Sequence, residues 1–155
     1  MYDYYISYFY NIRFMTPNIL PISTAIWDPK WFHNNNGNKY IYRDKNGVIN
    51  GVRLNILNFN DYDATIDCPK GGYKNCTQAD KVPNCSFMSK YYDFLRNTIN
   101  FNEMIQHLEK NVHSFDITID TIILLVYESK NCPCAERPVL RQWFSENGID
   151  LPEWR

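Results

Sequence analysis

The stretch DTIILLVYE, Asp120–Glu128, decides the fold class. Six consecutive apolar residues, most of them β-branched or Leu, stand between an Asp-Thr pair and a Glu. The run is short and bounded by polar residues, so it reads as a strand and not as a buried helix. Its hydrophobicity is continuous rather than alternating, which means burial on both faces. That is the pattern of a central strand in a parallel sheet covered by helices. Just downstream, AERPVLRQWFSENGI (135–149) reads as a helix with Val139, Leu140, Trp143 and Phe144 on one face. Pro138 fits only a first turn, so the helix starts near Glu136 or Arg137, and Gly148 stops it.

The remaining elements are read outward from this unit. YYISYFYNI (4–12) is rich in β-favouring aromatics without a breaker and reads as a strand. PISTAI (21–26) reads as a second strand opened by its proline. WDPKWFHNNNGNKY (27–40) reads as a loop. KYIYRDKNGVINGVRLNIL (39–57) reads as a hairpin around DKNG, with Asn46 and Gly47 suited to positive φ. Residues 61–85 form an irregular cysteine-containing loop, and its length marks it as a functional or disordered segment. Helical spacing resumes over 86–115 and breaks at 97–102, which predicts two helices, the second starting near Asn102. LPEW (151–154) reads as a final short extended segment. The expected fold is thus α/β: a single domain over 1–155, with a mostly parallel buried sheet, flanking helices and a β-hairpin insertion.

Composition narrows the function classes. At 155 residues with 12 Tyr, the chain is long enough for one domain with a real core and too aromatic for general disorder. A net charge of −1 gives no electrostatic footprint for nucleic acid or an anionic membrane. No run reaches the roughly 20 apolar residues of a membrane span. MYDYYISYFYNIRF (1–14) lacks a basic leader and a small-residue cleavage site, so a cytoplasmic location is expected. There the five cysteines would be reduced thiols, metal ligands or catalytic groups, not a disulfide framework. Abundant Tyr, Asn, Ile and Lys with scarce Ala and Gly suggest AT-rich coding, as in a low-GC bacterium or its phage.

The chemistry-bearing stretch is YESKNCPCAERPVLRQWF (127–144), which runs from the carboxyl end of the buried strand into a helix N-terminus. Ligands bind at that edge in open α/β sheets. Cys134 precedes the first N–H groups of the helix, where a thiolate is stabilised and its pKa falls. Arg137 and Arg141, about one turn apart, would add positive charge for an anion. Against this stands the plainer reading of an inert cysteine and a solvated arginine face.

The same residues resemble the C-terminal signature of domain-of-unknown-function family 488. Its members carry a hydrophobic strand ending in a Tyr-Glu or Cys-Glu pair, a short loop, a cysteine followed by Ser-Glu-Arg or His-Arg, and a helix with a central aromatic. The matching positions are Tyr127, Glu128, Cys134, Glu136, Arg137 and Trp143. Ser7, Tyr8, Pro29, Trp31 and Phe32 are similar to the family's opening, and CSFMSKYYDFL (85–95) to its Cys-x-Phe segment. The departure is Ala135, where many relatives have His or Ser. The resemblance implies an α/β domain of bacterial or phage origin with no settled activity. It also implies that Ser7, Arg13, Glu128, Cys134 and Arg137 are family features near strand ends.

Three functions compete. In the first, Cys134 is a nucleophile or contact, Glu128 a base or positioning group, and Arg137, Arg141, Ser7 and Arg13 bind a small anionic or nucleotide-like ligand. No cofactor is called for. Here an exposed Arg137 is expected to matter little for stability. In the second, Cys68, Cys76 and Cys85 join Cys132 or Cys134 in a zinc-stabilised structural module. The wide spacings are unlike those of common zinc sites, and His33, His107 and His113 lack ligand spacing. In the third, the tyrosines serve as anchors for a protein partner.

Overall fold

The computed structural model describes residues 1–33, 41–63, 67, 85–130 and 136–155. Three strands make the main sheet: β1 (Asp3–Tyr8), β2 (Ile19–Ser23) and β5 (Thr121–Val126). Their order is β1-β5-β2 and every pairing is parallel. β5 is therefore central, as its uninterrupted hydrophobicity requires, and Ile122 to Val126 are all fully buried.

Both edges of this sheet are extended by single parallel bridges. Glu153 lies against Ile6, with the Ile6 N–H donating to the Pro152 carbonyl and the Trp154 N–H to the Ile6 carbonyl, both at 2.9 Å. Arg53 lies against Ser23, whose N–H donates to the Val52 carbonyl and whose carbonyl accepts from the Leu54 N–H, again at 2.9 Å. The expected extended segment at 151–154 is thus the outer neighbour of β1. A small antiparallel hairpin, β3 (Tyr42–Arg43) and β4 (Ile49–Asn50), turns at Gly47 with φ +78°. Of the two residues suited to positive φ, only Gly47 adopts it.

The two faces are covered differently. Ile122, Leu124 and Val126 point to the larger core, made with α2 (Ser86–Thr98), α3 (Phe101–Phe115) and α4 (Glu136–Glu146). Ile123 and Leu125 point to a smaller core holding Phe9, Ile12, Met15, Phe32 and Val48. Among the described residues, a one-turn α1 (Lys30–His33), a 3-10 helix (Phe9–Phe14) and the hairpin supply that second face.

The helices follow their apolar spacing. α2 buries Phe87, Met88, Tyr91 and Leu95, and α3 buries Phe101, Met104, Ile105, Leu108 and Val112. They are separated only by Ile99 and Asn100. The Asn100 side chain accepts the Glu103 N–H and caps α3, one residue earlier than the broken pattern predicts. α4 begins at Glu136, as Pro138 requires, and Gly148 ends it with φ +87° while the Ile149 N–H reaches back to the Phe144 carbonyl at 3.0 Å.

Three local expectations are corrected. The first strand stops at Tyr8, and residues 9–14 wind into the 3-10 helix because Phe9, Ile12 and Met15 must turn beneath the sheet. Pro21 is not the first residue of its strand but its middle one. β2 is an edge strand, where a missing N–H is tolerated. The segment after Asp28 contains a turn of helix at 30–33 rather than loop alone. Most of the cysteine-containing loop at 61–85 lies outside the described residues. Asp67 within it is buried and accepts hydrogen bonds from the Asp63 N–H at 2.9 Å, Ser86 Oγ at 2.5 Å and Lys90 Nζ at 3.1 Å.

Candidate functional site at the carboxyl edge of the sheet

Parallel strands deliver the residues after their last hydrogen bonds to one edge, so Ser7, Thr24 and Glu128 arrive there from β1, β2 and β5. Glu128 follows β5 by two residues and is only 4% exposed. Its Oε1 accepts the Arg137 backbone N–H at 3.1 Å. A strand-end carboxylate thereby caps the free donors of the next helix. Burial raises the Glu128 pKa, while the Arg137 charge and hydrogen bonds to backbone N–H groups oppose that shift.

Arg137 is 3% exposed. Its Nη1 donates to the Glu128 carbonyl at 2.5 Å and to the Ser129 carbonyl at 2.8 Å, and its Nε pairs with Glu153 Oε1 at 2.5 Å. One guanidinium thus joins the start of α4, the loop after β5 and the segment bridged to β1. The expectation of an exposed, purely ligand-binding Arg137 is therefore corrected. The cause is that α4 belongs to the larger core, packing against α2 and, through Phe144, against Tyr4 of β1, which carries its first turn into the interior. One donor is left over: Arg137 Nη2 is buried and has no hydrogen-bond partner among the described residues.

Glu136 stands beside it. Residue 136 as a whole is partly exposed, yet its Oε2 is inaccessible and has no hydrogen-bond partner among the described residues. Burial, then the nearby Glu128 charge, push its pKa up to about 8, against a hydrogen bond with the Thr24 side chain. Thr24 is itself buried, its Oγ1 donating to the Leu125 carbonyl at 2.9 Å. The Glu136 carboxyl is therefore largely protonated near neutral pH and able to donate a hydrogen bond.

The other expected residues fall in different places. Ser7 is fully buried, and its Oγ donates to the Trp154 carbonyl at 3.0 Å while accepting from Asn11 Nδ2 at 2.8 Å. It holds the terminal segment onto β1. Arg13 is exposed, stacks 3.5 Å over the Tyr10 ring and donates from Nε to the Tyr10 carbonyl at 3.0 Å. Arg141 is exposed on α4. Neither Arg13 nor Arg141 contacts Glu128, Glu136 or Arg137 through any hydrogen bond or ion pair found among the described residues. Cys68, Cys76, Cys132 and Cys134 lie outside the described residues. Cys85 is a buried free thiol at the start of α2. No group of three or more potential metal ligands occurs among the described residues.

An aromatic group packs on the smaller core's side of the sheet, near the end of β5. Buried Phe9 contacts Tyr127 with ring centroids 5.1 Å apart and Trp31 at 6.4 Å. Tyr127 and Trp31 each remain nearly half exposed, and Tyr127 is the residue directly before Glu128.

Sequence reasoning missed several of these groups. Glu136 stood out only as a position of the family-like motif, although an acid in the first turn after a buried strand is a usable signal. Glu153, Thr24 and the Asp28–Arg53 pair at the β2 end gave none, because their partners are distant in sequence. Comparison with protein-family models, with curated proteins and with solved structures finds no match to this chain.

Proposed function

We propose that this chain binds a small anion of the phosphate or nucleotide class at the carboxyl edge of its sheet, where β5, the following loop and the N-terminus of α4 meet. The observation that carries the reading is a pair of buried, unpartnered atoms on adjacent residues, Arg137 Nη2 and Glu136 Oε2. Buried polar groups in native proteins find partners, and each orphan costs roughly 1–3 kcal/mol. A guanidinium N–H and a protonated carboxyl are both donors, and they stand at a helix N-terminus that favours negative charge. An anion satisfies all three. The half-exposed rings of Tyr127 and Trp31 favour a ligand with a planar portion, as in a nucleotide, over phosphate alone.

In this reading Glu128 orients Arg137 and the helix start rather than acting as the base. Cys134, two residues before α4 in the sequence, is the candidate nucleophile or contact. Kinship with domain-of-unknown-function family 488 belongs to the same proposal and rests on Tyr127, Glu128, Cys134, Glu136 and Arg137.

Calorimetric titration of the full chain with inorganic phosphate and with adenosine monophosphate tests it. The monophosphate is expected to bind more tightly than phosphate, and Arg137→Lys, which keeps the charge but loses the fork, to weaken both about tenfold or more. Absence of binding at millimolar ligand, or affinity indifferent to Arg137→Lys in a folded variant, overturns the proposal. For the thiol, mass-mapped alkylation near neutral pH is expected to modify Cys134 faster than Cys68, Cys76 or Cys85. Equal rates would remove it from the site.

A further inference from the structure

A separate cavity of about 770 Å³ shares none of Glu128, Glu136 and Arg137. One wall is α3, where Met104, Leu108 and Val112 recur at one-turn spacing and face the space. Glu103, His107 and Asn111 form a second, polar row alongside them, one residue earlier at each turn. The opposite wall is Val52 and Leu54, alternate residues of the segment bridged to β2, followed by Ile56. Leu20 of β2 also lines the space, and half-exposed Ile41, Ile56 and Phe115 contribute to it as well.

The shape and chemistry select the occupant. The apolar row from Met104 to Val112 runs about 12 Å along one wall at 1.5 Å per residue, about the length of a ten-carbon chain. The cavity volume falls within the roughly 300–1,000 Å³ of small-molecule sites, which pair apolar walls with a few placed polar groups. The one acid lining it is Glu103. The one arginine, Arg53, is already engaged: its Nε lies 3.1 Å from Asp28 and its Nη2 donates to the carbonyls of Ala25 and Ile26. Among the described residues, no uncommitted arginine or lysine therefore lines the cavity to receive an acidic head group.

We propose that this cavity binds a small elongated apolar molecule with an uncharged or cationic polar head. The tail lies against Met104, Leu108 and Val112, and the head lies beside Glu103 and Asn100. This site is independent of the anion site and stands or falls without it.

Titration of the full chain with N-phenyl-1-naphthylamine, an uncharged fluorescent probe, tests the assignment. Saturable one-to-one binding is expected. Decylamine and decanol should displace the probe about tenfold better than decanoate, because Glu103 repels the carboxylate, and Glu103→Gln should erase most of that difference. Leu108→Trp fills the cavity and is expected to weaken the probe about tenfold. Ile56→Ala removes an exposed apolar contact without touching the core and is expected to weaken it about threefold. Unfolding midpoints of both variants identify any loss of fold, and Ile56→Ala remains decisive if Leu108→Trp does not fold. Non-saturable binding, or wild-type affinity in Ile56→Ala and in a folded Leu108→Trp, overturns the site. Decanoate as the best competitor overturns the head-group assignment, and tight binding of an amphipathic helical peptide in place of the probe overturns the small-molecule class.

Discussion

Two arginines clamp outer segments to opposite sides of the same parallel sheet, and they differ in what they leave unsatisfied. Arg53 ties the segment beside β2 to the turn after it. Its Nε pairs with Asp28, whose side chain is fully buried and also accepts from Ser23 Oγ, and its Nη2 reaches two backbone carbonyls. Arg137 ties the segment beside β1 to the loop after β5 through Glu153 and two carbonyls, but its Nη2 ends without an acceptor among the described residues. The residue before it in the sequence, Glu136, also has a buried carboxyl oxygen without a hydrogen-bond partner among the described residues. In both clamps the Nε lies in an ion pair without a well-formed hydrogen bond, but only Arg137 also has a buried Nη without a hydrogen-bond partner among the described residues. That spare donor is what makes Arg137 a candidate site residue as well as a fastener.

The largest effect should come from breaking the clamps. Arg137→Ala leaves Glu153 without its cation and removes three ties at once, so a loss of about 3–5 kcal/mol is expected. Leu124→Ala, deleting hydrocarbon from the central strand, should cost a comparable 2–5 kcal/mol or so. Arg53 keeps 20% of its side chain exposed, but Arg53→Ala leaves the fully buried Asp28 carboxylate without this cation, so a comparable loss of about 3–5 kcal/mol is expected. Denaturant titration of the three variants decides the ranking. An Arg137→Ala variant losing under about 1 kcal/mol would show that the arginine is not a clamp.

A second expected effect separates the two sides by pH. Glu136 has a folded pKa of about 8 against an ordinary 4.5, so between those values the folded state holds a proton that the unfolded state has lost. Stability then falls as pH rises across that window, by roughly 5 kcal/mol in total. Glu136→Gln should flatten the fall and make the protein more stable than wild type at pH 8. Thermal unfolding from pH 5 to 8.5 reads this directly, and an unchanged slope in Glu136→Gln would place the carboxyl in water. The surface carboxylates of Asp116 and Asp120 act with the opposite sign. Hydrogen bonds from Thr118 and from Thr121 hold their pKa values low, so their contribution is lost only as pH falls into the acid range.

If the proposed anion site is occupied, the same proton should control binding. Anion affinity is expected to decline as pH passes about 8, when Glu136 ionises and turns from donor to repelling charge, and Glu136→Gln should remove that decline. Titrations with adenosine monophosphate at pH 7 and 9 measure it. The smallest effects belong to the exposed arginines. Arg13→Ala and Arg141→Ala should each change stability by no more than about 0.5 kcal/mol and leave phosphate affinity unaltered. A marked loss of affinity in Arg141→Ala would extend the site along α4.

Much of the architecture was legible in the sequence because it follows from local periodicity. The unbroken hydrocarbon of Ile122–Val126 demanded burial on both faces, and Pro138 and Gly148 bounded the helix that follows. The spacings at 87–95 and 104–108 specified two helices. The same reading singled out the β5–α4 junction, with Glu128 and Arg137, as the candidate site, since a strand-to-helix step in a parallel sheet delivers its residues to the carboxyl edge. Tertiary structure alone decided what those residues do. Periodicity says which face of a helix is apolar but not how deeply its first turn sinks, so it could not tell a solvated Arg137 from a buried one. It could not pair Arg137 with Glu153 or Glu136 with Thr24, because such partners meet only after the chain has closed on itself. Whether a charge is a ligand group or a fastener depends on desolvation and on which distant oxygens surround it, and both are properties of the packed molecule.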